Sequence, residues 1–168
     1  MPRHSWIAGA YDEHGAALYR HALMIVGDRA VAEDVLHQVF VRLLRRGASA
    51  EAVHATRAYL RQAVRNECFS WLRRPQPVRR EAHDGLPLLE PSGPAVQDDR
   101  VVLEQALDSL PPEQREVVHL KVYEGFTFAE IADLTGVSIN TASSRYRYAL
   151  DKLAARLGDE RTDTGRTA

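Results

Sequence analysis

Phe128-Ala129-Glu130-Ile131-Ala132-Asp133-Leu134-Thr135-Gly136-Val137-Ser138-Ile139-Asn140-Thr141-Ala142-Ser143-Ser144-Arg145-Tyr146-Arg147-Tyr148-Ala149-Leu150, continuing to Leu157, is the stretch that decides the fold. Phe128–Leu134 reads as a short helix, Thr135-Gly136-Val137 as a turn, and Ser138 as an N-cap whose hydroxyl accepts an orphan backbone N–H. Beyond the cap, Ile139, Ala142, Tyr146, Ala149 and Leu153 recur at helical spacing and predict one buried stripe. The opposite face carries Asn140, Ser144, Arg147 and Asp151, flanked by Ser143 and Tyr148. The pattern is a helix-turn-helix. Short polar groups and an arginine near the start of an exposed second helix can reach base edges in a major groove.

Working outward, helical periodicity fills two blocks, residues 6–74 and 100–157, and strand signals are nearly absent. The expected class is all-α, with two small helical domains. Between them, segment 75–99 holds five of the eight prolines. Proline removes a backbone donor and disfavours helix before it, so this segment reads as an extended linker. The polar stretch 158–168 reads as a disordered tail.

The first block divides into about four helices. Leu18, Ala22, Ile25 and Val26 stripe an early helix ending near Gly27, and Asp28 caps the next. That helix buries Ala32, Val35, Leu36, Val39 and Leu43. Beside this stripe runs a mostly polar row: Asp34, His37, Gln38 and Val41. A loop at 47–55 follows. The helix after it, near 56–74, buries Leu60, Val64, Cys68 and Trp71, and shows Tyr59, Gln62, Arg65, Asn66, Phe69 and Arg73 on its other side. In the second block, Leu103, Ala106, Leu107 and Leu110 share a face. Pro111-Pro112 starts a helix that runs through Val117, Leu120 and Tyr123 to a C-capping Gly125.

The bulk numbers narrow the function. The 168 residues suffice for one ordinary domain or two small ones. A net charge of −1 excludes a uniformly basic nucleic-acid coat, so DNA binding must come from local patches or a larger complex. A single cysteine, Cys68, excludes an internal disulfide framework and fits a reducing cytoplasm. No apolar run suits a membrane span, and the first residues lack a signal-peptide core. Neither a close-spaced metal-ligand pattern nor a glycine-rich phosphate loop is present, so no cofactor is expected.

Ala32-Glu33-Asp34-Val35-Leu36-His37-Gln38-Val39-Phe40 resembles the core-binding motif in region 2 of bacterial sigma factors. Tyr59-Leu60-Arg61-Gln62-Ala63-Val64-Arg65-Asn66, ending in Trp71-Leu72-Arg73-Arg74, resembles the promoter-melting helix of that region. Leu107-Asp108-Ser109-Leu110-Pro111-Pro112-Glu113-Gln114-Arg115-Glu116-Val117 resembles the opening of region 4, and Tyr123-Glu124-Gly125-Phe126-Thr127 and Glu130-Ile131-Ala132 continue it. The chain is similar to the small extracytoplasmic-function (ECF) class, which has only these two regions.

The resemblance implies a promoter-specificity subunit that binds core RNA polymerase, reads the −35 element as duplex and opens the −10 element. It implies base contacts by Ser143, Ser144, Arg147 and Tyr148, with Arg147 first among them for guanine; phosphate is the alternative. Tyr148 stands where the family commonly has a second basic residue. Asn140 and Thr141 sit in the first turn, where they serve either a phosphate or the cap. Arg145 is read as paired to Glu130 rather than to DNA.

For the −10 strand, Tyr59, Asn66, Phe69 and Arg73 offer aromatic faces, an amide and a charge; Phe69 is equally readable as core. Arg61 and Arg65 are read as phosphate contacts, and the loop 47–55 matches where the family captures a flipped base. Asp34, His37 and Gln38 form the polymerase-facing row. The family more often has Gln and Glu at the last two, and His37 suggests docking sensitive to pH near 6.5. A separate anti-sigma partner is expected rather than a built-in inhibitory domain. The rival readings are a helix-turn-helix regulator with a sensing or dimerising domain, which lacks a heptad seam here, and a helical protein-binding adaptor, which leaves the Ser143/Ser144/Arg147 face unexplained.

Overall fold

A computed structural model describes residues 5–46, 56–75 and 94–164. The expected loop 47–55 and most of the expected linker lie outside the described residues. The chain divides into two units, Met1–Asp84 and Gly85–Ala168. Among the described residues all regular structure is helical.

Among the described residues the first unit contains three helices, α1 (Ser5–Val26), α2 (Arg29–Arg46) and α3 (Thr56–Arg73), each packed on the other two. Gly27 ends α1 because it adopts φ 70°, and its N–H reaches the Leu23 carbonyl at 2.8 Å. Asp28 then caps α2, its Oδ1 accepting the Val31 N–H at 3.1 Å. The stripe Ala32, Val35, Leu36, Val39 and Leu43 is buried, as the spacing requires, and meets Leu18, Ala22 and Ile25 of α1 and Leu60, Val64 and Cys68 of α3 in the core of the unit. Trp71, expected in that core, is only half-buried near the end of α3.

The second unit contains α4 (Pro94–Asp108), α5 (Pro112–Val118), α6 (Phe128–Thr135) and α7 (Ile139–Thr164). Helix α4 begins inside the segment expected to be linker. Pro94 opens the helix rather than blocking it, since a first-turn proline has no bond to lose. The other departure is at the end. Helix α7 runs through Gly158 to Thr164, where a disordered tail was expected. Ala154, Ala155, Arg156 and Leu157 are strong helix formers, and one interior glycine costs only about 1 kcal/mol.

After α5 the backbone loosens into one π-helical turn, His119–Tyr123, closed by the Glu124 N–H to the His119 carbonyl at 3.1 Å. Gly125 at φ 72° lets the Phe126 N–H return to the Leu120 carbonyl at 2.9 Å. Val117, Leu120, Ile131, Ala132 and Ala142 make the core, and Phe126, Phe128, Leu134, Val137 and Tyr146 seal its edges.

Candidate nucleic-acid interface

Helices α6 and α7 form the helix-turn-helix, and both ends of the turn are fixed chemically. Thr127 caps α6 in a capping box: its Oγ1 accepts the Glu130 N–H at 3.2 Å, and Glu130 Oε2 accepts the Thr127 N–H at 2.7 Å. The two hydrogen bonds from Thr127, backbone and hydroxyl, hold the Glu130 carboxyl below the usual carboxylate range, with Lys121 adding a smaller pull. Gly136 ends α6 at φ 70°, its N–H bonding the Ala132 carbonyl at 2.9 Å. Ser138 then caps α7, accepting the Thr141 N–H at 3.0 Å.

This geometry corrects the expectation for Arg145. The Glu130 carboxylate is held in its own cap, and no Glu130–Arg145 ion pair occurs among the described residues. Arg145 is half-buried beside the recognition face.

Along α7, Ala142, Ala149 and Leu153 are buried and Tyr146 meets Phe128 edge-on, ring centroids 5.6 Å apart. Ile139 departs from the expected stripe: it is 53% exposed. It is the first residue of α7 and projects about 60° from Ala142, past the edge of the core. The outward face carries Asn140, Thr141, Arg147 and Tyr148 exposed, with Ser143 and Ser144 half-buried beside them. The Thr141 hydroxyl lies 2.9 Å from that of Ser138, which fits the capping alternative for this residue. The Arg147 guanidinium carbon sits 5.4 Å from the Tyr148 ring centroid, so the tyrosine offers a ring against which the cation can lie.

The second surface is on α3. Tyr59 and Asn66 are exposed, Arg65 and Phe69 half-buried, and Arg73 exposed at the helix end. Arg65 lies over the Phe69 ring at 4.5 Å, so this aromatic belongs to the solvent side as much as to the core. Gln62 Nε2 donates to Asn66 Oδ1 at 3.1 Å, which fixes the orientation of both amides. Tyr59, Gln62 and Asn66 border a pocket of about 280 Å³ between α2 and α3, which Arg42, Arg46 and Glu67 also line.

Arg61 does not fit its expected place. It is 2% exposed, inside the first unit rather than on its surface. At 100° per residue it projects only about 20° from Cys68, and α3 packs on two neighbours, which buries both edges of its stripe. Two charged residues of this region escaped the sequence reading. Glu67 is buried, with Arg42 of α2 at 2.5 Å on one oxygen and Arg74 at 3.4 Å on the other. The signal was available: Glu67 projects only about 60° from Val64, and a carboxylate beside a core stripe needs a cation.

The third surface is on α2. Asp34, His37 and Gln38 are all exposed. Asp34 and His37 border an open groove of about 1270 Å³ between α1 and α2, floored by apolar groups including Phe40, against which Tyr11 packs edge-on at 5.1 Å. Glu33 and Asp12 also line it. Burial, followed by the charge of Glu33, pushes the Tyr19 hydroxyl in the same groove up from its usual pKa. No group of His, Cys, Asp and Glu able to hold a metal occurs among the described residues, nor any helix long and apolar enough to cross a membrane.

Two compact helical units in this order, the second a helix-turn-helix with an exposed Arg147–Tyr148 face, define a class of transcription factor. Residues 10–77 match sigma-70 region 2, and residues 100–153 match sigma-70 region 4. The ECF RNA polymerase sigma factor SigL of Mycobacterium tuberculosis is 33% identical over 150 residues, spanning 85% of this chain and 84% of SigL. RNA polymerase sigma-E factor of Streptomyces coelicolor is 32% identical over 143 residues, 84% of this chain and 80% of that protein. The sigma factor RpoE of Bartonella quintana, solved in complex with the anti-sigma factor NepR, superposes with a TM-score of 0.59 at 25% identity, covering 85% of this chain and 91% of RpoE. The chain belongs to the ECF class of the sigma-70 family. Its role is that of an RNA polymerase sigma factor in transcription initiation.

Proposed function

We propose that the two units divide promoter recognition between duplex and single strand while both are carried on core RNA polymerase. The face of α7 enters the major groove of the −35 element. Arg147 is the guanine-reading group, Tyr148 and the half-buried Ser143 and Ser144 border it, and Asn140 lies where first-turn N–H groups favour a phosphate. The observation that carries this reading is the exposed Arg147–Tyr148 pair on a helix whose start is pinned by Ser138 and whose back is sealed by Ala142, Ala149 and Leu153.

On α3, Tyr59, Asn66 and the Arg65–Phe69 pair take up the unpaired −10 strand, with Arg73 at the helix end on phosphate. Stacking on an aromatic contributes about 1–3 kcal/mol per base and is available only once the base has left its duplex, so such a surface favours the open state. The pocket beside Tyr59 is slightly below the size range of ordinary ligand clefts, roughly 300–1,000 Å³, and suits one base rather than two.

Asp34, His37 and Gln38 dock on core polymerase. The apolar groove beside them, rimmed by Asp12, Glu33 and Asp34, supports a helical partner with basic flanks. A separate anti-sigma protein restrains the factor, as NepR accompanies RpoE in the related structure.

Run-off transcription tests the whole proposal. Core polymerase with the purified chain initiates at discrete sites on genomic DNA that core enzyme alone ignores. Random initiation, or none, rejects it.

A further inference from the structure

The Arg42–Glu67 ion pair between α2 and α3 lines the pocket bordered by Tyr59, Gln62 and Asn66. Glu67 points inward from α3 with its side chain only 7% exposed, yet its two oxygens face guanidinium groups on different segments: Arg42 of α2 at 2.5 Å and Arg74 at 3.4 Å. Both arginines are more than half exposed, Arg42 at 54% and Arg74 at 53%. A buried carboxylate thus anchors one edge of each guanidinium and leaves the rest of the group at the surface. Arg42, Glu67, Gln62 and Asn66 line the same pocket.

We infer that Arg42 is a phosphate-binding residue for the unpaired promoter strand and that Glu67 is its positioning residue. The inference rests on the reading of α3 as the strand-capturing helix. A flexible arginine loses rotamer freedom when it is fixed. Glu67 imposes that restriction before DNA arrives, so the strand meets a guanidinium already aimed at the backbone of the base that enters the pocket. Arg42 has five donors in a planar fork, and the edge turned away from Glu67 suits two phosphate oxygens.

The charge of Glu67 makes the inference testable by sign. A carboxylate near a polyanion repels it, so a bystander Glu67 predicts tighter DNA binding when neutralised. A positioning Glu67 predicts weaker binding, because Arg42 loses its aim.

The assay uses holoenzyme assembled from core polymerase and the full chain. The probe is a labelled non-template oligonucleotide covering the −10 element of a promoter the wild-type holoenzyme transcribes, titrated at several salt concentrations. Arg42→Ala weakens binding about tenfold and reduces the salt slope by about 0.7, the value for one phosphate on a single strand. Glu67→Gln, a near-isosteric change, weakens promoter-strand binding about fivefold while leaving a random oligonucleotide unchanged or tighter. The double variant is no weaker than Arg42→Ala alone, since positioning has no value without the group positioned. Arg42→Lys restores the salt slope without the full affinity.

If Arg42→Ala binds with wild-type affinity and slope, or Glu67→Gln binds the promoter strand more tightly, the inference is overturned and the reading of α3 survives. If Glu67→Gln and Arg42→Ala combine additively, the positioning role is overturned and Arg42 stands as a phosphate contact alone. If wild-type holoenzyme does not distinguish the promoter strand from a random one, the reading of α3 fails, and the inference with it.

Discussion

Thr127 and Glu130 bind each other three times across the first turn of α6: the Thr127 N–H donates to Glu130 Oε2 at 2.7 Å, the Thr127 hydroxyl to the same oxygen at 2.9 Å, and the Glu130 N–H to Thr127 Oγ1 at 3.2 Å. This pair, not a Glu130–Arg145 bridge, fixes the entry of the helix-turn-helix. Thr127→Ala therefore destabilises the second unit by about 1 kcal/mol. Arg145→Ala leaves its unfolding within about 0.5 kcal/mol of wild type, the usual range for a surface change. Chemical denaturation of the full chain, followed by a probe in the second unit, measures both. A larger loss from Arg145→Ala than from Thr127→Ala contradicts the assignment.

The same carboxylate gives a pH dependence. Its pKa is depressed in the folded state by the Thr127 bonds, so its contribution to stability is present above the ordinary carboxylate value of 4.5. That contribution is lost as pH falls through the lower, folded value. Glu130→Gln removes this part of the acid sensitivity. Denaturation series between pH 6 and pH 3 on wild type and Glu130→Gln should converge at the acid end. Curves that remain parallel contradict the linkage.

Gly136 makes the turn between α6 and α7 at φ 70°, and a Cβ placed there would meet nothing within 4 Å. The cost of a side chain is therefore in the backbone alone, about 1–2 kcal/mol for an ordinary L-residue in the left-handed region. Gly136→Ala lowers stability by that amount, and Gly136→Asn by less, because asparagine tolerates this conformation. Thermal melts of the two variants give the order, and equal losses contradict it.

Arg61 and Arg73 separate structure from binding on one helix. Arg61→Ala empties a buried site and costs about 2 kcal/mol or more, with loss of cooperative unfolding as the readout. Arg73→Ala leaves the melt unchanged and lowers the salt dependence of binding to the −10 strand. An Arg61 variant that melts like wild type but loses strand affinity restores the surface role that its burial contradicts.

Most helix cores were legible because the periodic signal is strong where a helix has one buried face. The stripe from Ala32 to Leu43, the caps at Asp28 and Ser138, and the turn glycines at 27, 125 and 136 all behave as their residue types require. Legibility failed where tertiary context overrides local pattern. Arg61 is buried because α3 has two neighbours, and no one-dimensional projection reveals how many sides a helix packs. Ile139 is exposed because it projects about 60° to the side of buried Ala142, past the edge of the core. Helix α4 starts at Pro94 because proline breaks a helix only from within. Of the proposed interface, the outward residues of α7 could be read from spacing, whereas spacing marks Glu67 only as a carboxylate needing a cation, and its partner Arg42 lies on a separate helix that no local pattern points to.

The central claim is that α7 and α3 act at separate steps, one holding the promoter and the other opening it. Permanganate reactivity of thymines in the −10 region, measured together with promoter occupancy in the same holoenzyme complexes, tests this most directly. Arg147→Ala should lower occupancy by one to two orders of magnitude, the worth of a guanine contact of about 1–3 kcal/mol, while the complexes that do form show wild-type reactivity. Tyr59→Ala should keep occupancy and lose reactivity. If each variant loses both properties in parallel, or if neither changes either one, the division of labour between the two helices is wrong.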